Sequence, residues 1–137
     1  MTTLLSCSVD EPDTYTEHFL PVETYTIPSD MRLNQSYTIT LTYQKPTACY
    51  DFNDIYFGKE GLTRTIAVFA YTKDGQECSD ALPPVSSVSF VFNPITTGTY
   101  NFKFFKGTDK DVDDTDDDGN VDELINVFEE VPVVVTE

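Results

Sequence analysis

Gly98-Thr-Tyr-Asn-Phe-Lys-Phe-Phe-Lys106, then Asp109-Lys-Asp-Val-Asp-Asp-Thr-Asp-Asp-Asp-Gly-Asn-Val-Asp-Glu123, then the run from Leu124 to Val135: these three pieces decide how the chain is read. In the first, Tyr100, Phe102 and Phe104 fall on alternate positions, the period of a strand with one buried face. In the third, Ile125, Val127, Val131, Val133 and Val135 share one parity, and Pro132 places that strand at an edge. The middle piece holds nine carboxylates in fifteen residues, against one lysine. Like charge at that density does not pack into a core, so it reads as a long acidic loop before the last strand.

Upstream, the same period recurs. Tyr37, Ile39, Leu41 and Tyr43 alternate with threonines across Ser36 to Gln44, the clearest strand in the chain. Phe19 to Ile27 reads as a first strand interrupted by Pro21. Its apolar parity changes between Val22 and Tyr25, so a bulge or kink is expected near Glu23. Further strands are expected over Cys49 to Phe57, Leu62 to Lys73 and Val85 to Asn93. Turns are expected at Pro28-Ser-Asp30, at Gly58-Lys-Glu-Gly61 and at Asp74-Gly75, the last a strong hairpin signal. Seven or so strands result, and no stretch carries a helical period.

The 137 residues make one domain with room for a core. A formal net charge of −16 argues against nucleic acid and anionic headgroups as partners and favours cations. Aromatics reach 13% without tryptophan, a composition that favours strands. No apolar run is long enough to span a membrane as a helix. His18 stands alone, no Gly-x-Ser-x-Gly elbow is present, and the acidic-loop carboxylates have no cleft around them. The expectation is a non-catalytic protein.

The strand spacing over residues 19–137 resembles an immunoglobulin-like antiparallel β-sandwich of about seven strands. Gly98-Thr-Tyr100 followed by alternating aromatics is similar to the penultimate strand of such domains, where a tyrosine closes the corner. This resemblance implies architecture and transfers no function.

Leu4-Leu5-Ser6-Cys7 resembles the lipobox of bacterial lipoproteins, with Ser6 as the small residue before the cut and Cys7 as the lipidated residue. The resemblance implies a leader longer than the six residues that precede Cys7. The acidic stretch Ser8-Val-Asp10-Glu11-Pro-Asp13 is similar to the export signal of Bacteroidota surface lipoproteins. Residues 1–18 would then be a lipobox remnant and acidic tether. The implied location is the outer membrane, reached through a lipid on Cys7 and facing outward. In that oxidising setting Cys49 and Cys78, both inside the expected fold, are expected to form a disulfide.

Asp114-Thr-Asp116-Asp-Asp118-Gly119-Asn120-Val121-Asp122 follows the D-x-D-x-D-G pattern in which alternate aspartates converge on a hard cation. It is similar to EF-hand loops, and more so to thrombospondin type 3 repeats, which lack flanking helices. The resemblance implies weak calcium binding by Asp114, Asp116, Asp118, the Asn120 carbonyl and Asp122. The twelfth position is Ile125, where those loops carry an acid, so the local set is incomplete. The competing reading is a solvated acidic loop with no fixed metal. Tyr50, Tyr56 and Tyr71 are candidates for a sugar-stacking platform, although core aromatics are the commoner use of such residues. The leading expectation is an accessory subunit or adhesion module. The alternative is a calcium-assisted glycan-binding module, with other outer-membrane proteins or glycan as partners.

Overall fold

The computed structural model describes residues 14–110 and 124–137. Among them nine strands form and no helix: β1 (Tyr15–Leu20), β2 (Thr24–Thr26), β3 (Asp30–Arg32), β4 (Tyr37–Tyr43), β5 (Asp51–Glu60), β6 (Thr63–Lys73), β7 (Ser86–Phe92), β8 (Gly98–Lys110) and β9 (Leu124–Thr136). They build the two layers of a β-sandwich. One sheet has six strands, with β1, β6, β8, β9 and β3 in that order and β5 paired to the other side of β6; the other sheet is β2-β4-β7. Most ladders are antiparallel, but β3 runs parallel to β9 and β6 parallel to β8.

The expected alternation is what fills the space between the sheets. Ile39 and Leu41 from β4 meet Ile66 and Val68 from β6, and Tyr100, Phe102 and Phe104 from β8, all fully enclosed. Val133 and Val135 of β9 and Met31 of β3 extend this core. Each such side chain contributes about 1.5–3 kcal/mol by leaving water. Tyr25 stacks on Phe104 at 4.0 Å between centroids, which ties the short β2 to the opposite sheet.

Several elements differ from the sequence expectation. The interrupted first strand is two strands in two different sheets: Leu20 closes β1 in the large sheet and Tyr25 belongs to β2 in the small one. Pro21, Val22 and Glu23 make the crossing, which is why the parity changes there. The segment after Pro28 contains β3 rather than a turn alone. The turn expected at 58–61 is displaced, because β5 continues to Glu60 and reverses at Gly61, whose φ is +59°. Asp74-Gly75 does turn, but no strand returns until β7. Ile125 and Val127 are exposed, although Val131, Val133 and Val135 of the same parity face the core.

Cys49 and Cys78 are joined by a disulfide with Cα atoms 5.7 Å apart. It fastens the irregular segment after β6 back to the start of β5. Closing a loop of 29 residues stabilises the fold by about 3–4 kcal/mol in the chain-entropy view.

Candidate functional site: the aromatic outer face of the large sheet

β6 has a divided edge. Its C-terminal half, from Val68 on, pairs with β1, and its N-terminal half, up to Ile66, pairs with β8. Ala67 sits at the junction, paired on that side with neither. Pro21 follows Leu20 and lacks the N–H needed to prolong β1. Where the two neighbours part, the outer face dips.

The dip is a cleft of about 260 Å³ lined by Phe19, Tyr56, Phe105 and Phe128, with Thr65, Ala67 and Asn126 completing it. Ala67 is small enough to leave the depression between the rings. Phe19 and Tyr56 meet edge to face at 5.5 Å, and Phe19 lies 5.2 Å from Phe69. Phe105 and Phe128 are cross-strand partners whose rings are 5.8 Å apart. Lys103 rests its ammonium 4.7 Å from the Phe128 ring.

The aromatic surface continues along β1 and β6. Tyr15 packs edge-on against Tyr71 at 5.3 Å. Glu17 and Asp54 flank Phe19, Tyr56 and Phe69 in an adjoining hollow. Phe19, Tyr15 and Tyr56 are each about half exposed, at 52%, 51% and 46%. Three large aromatic side chains thus remain in water on one side of the sandwich, in one patch and beside two carboxylates.

The tyrosines singled out from sequence divide. Tyr56 and Tyr71 stand on this outer face. Tyr50 does not: it is half-buried against the core, with its ring 4.8 Å from His18. His18 in turn shares a hydrogen bond with the Thr72 hydroxyl at 2.9 Å. A single platform of Tyr50, Tyr56 and Tyr71 is therefore not formed. Phe19, Phe69, Phe105 and Phe128 were missed from sequence. They sit on the parity opposite to the core residues, and Phe105 directly follows the core residue Phe104.

Cys7 and the calcium candidates Asp114, Asp116, Asp118, Asn120 and Asp122 lie outside the described residues. Among the described residues, no group of three or more His, Cys, Asp or Glu is placed to hold an ion together. No helix among them is long and apolar enough to cross a membrane. No protein-family model matches the chain, and neither curated proteins nor solved structures supply a match.

Proposed function

We propose that this protein is a non-catalytic interaction module, held on the bacterial outer membrane by a lipid on Cys7, that meets a protein partner through the outer face of its six-stranded sheet. The observation that carries this reading is the pair of half-exposed rings, Phe19 and Tyr56, at the cleft beside Ala67, with half-exposed Tyr15 farther along the same face. The cleft lining is mainly apolar rings, suited to an apolar anchor side chain from a partner. Glu17 and Asp54 beside it favour a partner with cationic residues at its rim.

The acidic segment completes the proposal. Asp114, Asp116, Asp118, Asn120 and Asp122 are proposed to bind calcium weakly, as their spacing suggests. The second reading, a calcium-assisted glycan-binding module, draws on Tyr56, whose exposed ring neighbours the polar groups of Thr65 and Asn126.

The test uses the full chain with its natural upstream region, expressed at its native location. A photo-crosslinking residue replacing Tyr56 yields a discrete protein adduct, and Phe19→Glu on the same face abolishes it. A residue replacing Thr38, on the outer side of the small sheet, yields none. Equal capture from both positions overturns the recognition face. Palmitate labelling that persists in Cys7→Ala overturns the anchor. Binding to immobilised polysaccharide that disappears in Tyr56→Ala, with no protein adduct, replaces the first reading with the second.

A further inference from the structure

A second opening lies across β5 from the aromatic face, along the side of the sandwich where both sheets end. Among the described residues β5 is outermost in the large sheet and β7 in the small one, and each has a strand partner on one side only. Between them Ile55, Phe57, Val88 and Phe90 line a groove of about 250 Å³. The groove leads into a pocket of about 300 Å³ bordered by Phe57, Lys59, Arg64, Phe90 and Tyr100.

The two edges are unequally guarded. β5 carries Asp51, Asp54, Lys59 and Glu60 and a register shift between Phe52 and Asp54, devices that block further pairing. β7 reads Ser-Ser-Val-Ser-Phe-Val-Phe, with no charge, proline or bulge. Its inward side chains Val88 and Phe90 stay only half-buried. Such an edge offers a row of unpaired backbone groups and an apolar slot beside them, the combination used in strand addition.

Arg64 supplies an independent observation. Its side chain is 9% exposed, and Nη1 donates to the Gly61 and Thr63 carbonyls at 2.7 and 3.0 Å. The guanidinium lies 5.1 Å over the Tyr100 ring. Its Nε is buried and has no hydrogen-bond partner among the described residues. The residue directly opposite on β5 is Lys59, and like charges so placed repel. Neither forms an ion pair among the described residues. In a chain with 8 basic against 24 acidic residues, two cations left without a carboxylate in one pocket mark a place prepared for an anion.

We propose that β7 accepts an extended strand of a partner protein, and that Arg64 and Lys59 receive the terminal carboxylate of that strand. The pocket sits at the C-terminal end of β7, where the chain turns away through Asn93, Pro94 and Ile95. The received group therefore ends the incoming strand, which runs parallel to β7. Its alternate apolar side chains cover Val88, Phe90 and Phe57. This surface borders the aromatic outer face along β5, where Asp54, Ile55 and Phe57 line both the groove and the hollow beside Phe19, but the β7 edge and Arg64 belong to the groove side alone.

The probe is a six-residue peptide alternating valine and threonine, prepared as the free acid and as the C-terminal amide. Titration into isotope-labelled protein is followed by NMR. The free acid binds at least about tenfold more tightly than the amide, as a charge-assisted contact requires. It shifts the amides of Ser86–Phe92 and the Nε–H of Arg64. Lys59→Gln, at an exposed position, and Arg64→Lys each narrow the difference between the two peptides. Equal affinity for acid and amide, an unmoved Arg64 Nε–H, or shifts confined to the aromatic outer face overturns the proposal.

Discussion

Thr16 donates its hydroxyl to the Asp74 carboxylate at 2.6 Å, and the Asp74 amide donates to the Thr14 carbonyl at 2.8 Å. The hydrogen bond from Thr16, then one from Thr14, hold the Asp74 carboxyl below the ordinary 3.8. A lowered carboxyl favours the folded state when ionised. Its contribution is present above about pH 3.8 and is lost as the pH falls through the lowered value. Thr16→Val should therefore move the Asp74 titration upward toward that of a free carboxylate, read from its carboxyl carbon shift by NMR. An unchanged midpoint would show that the bond does not form in solution. This residue also marks a limit of sequence reading. Asp74-Gly75 announces a turn, and Gly75 does adopt φ +79°. Nothing local shows that the aspartate fastens the turn to β1, because Thr16 is 58 residues away.

The same limit governs whole elements. Alternation in β4, β6, β7 and β8 was legible because each has one buried face, so the core residues Ile39, Ile66, Phe92 and Phe102 could be read from period two alone. The three-residue strands β2 and β3 were not legible as separate elements. Their pairing is set by distant partners, and a run of three has no period. The aromatic face escaped for a related reason: a search for core positions discards the opposite parity, where Phe19, Phe69 and Phe105 lie. Cys49–Cys78 was legible because only two cysteines fell inside the expected fold. The crossing from β1 to β2 has its own fastening. Lys106, the extra residue where the β8–β9 register shifts between Phe105 and Gly107, donates to the Val22 and Glu23 carbonyls at 2.9 Å each and pairs with Glu129 at 3.5 Å. Gly107, at φ +108°, makes that bulge possible. Lys106→Met keeps the stem and removes the charge. It should cost about 1.5–3 kcal/mol, the usual worth of hydrogen bonds from a charged donor, measured by urea denaturation. A loss below about 0.5 kcal/mol would mean that the bulge and crossing hold without it.

At the scale of the molecule, charge is strongly one-sided. The net charge is −16, and nine of the 24 acidic residues fall between Asp109 and Glu123. Their segment joins β8 to β9, which pair as far as Lys110 and Leu124. Like charge at that density along one connection repels itself, a cost that the chain carries in the absence of counter-ions. Monovalent salt relieves this by screening alone. A dication held by Asp114, Asp116 and Asp118 would relieve it at far lower ionic strength and would bind the folded chain in preference. The stabilisation then follows RT ln(1 + [L]/Kd), about 2.7 kcal/mol at a hundredfold excess over Kd. With Ile125 at the twelfth position, the expected Kd is in the range of about 10⁻⁴–10⁻³ M found for extracellular modules. Millimolar calcium should therefore raise Tm well beyond the effect of sodium chloride at equal ionic strength. Asp116→Ala combined with Asp118→Ala should remove the calcium-specific part and leave the salt response. A melting point that tracks ionic strength alone, with no saturable heat on calorimetric titration, would make the acidic segment a solvated loop whose charge keeps other acidic surfaces away.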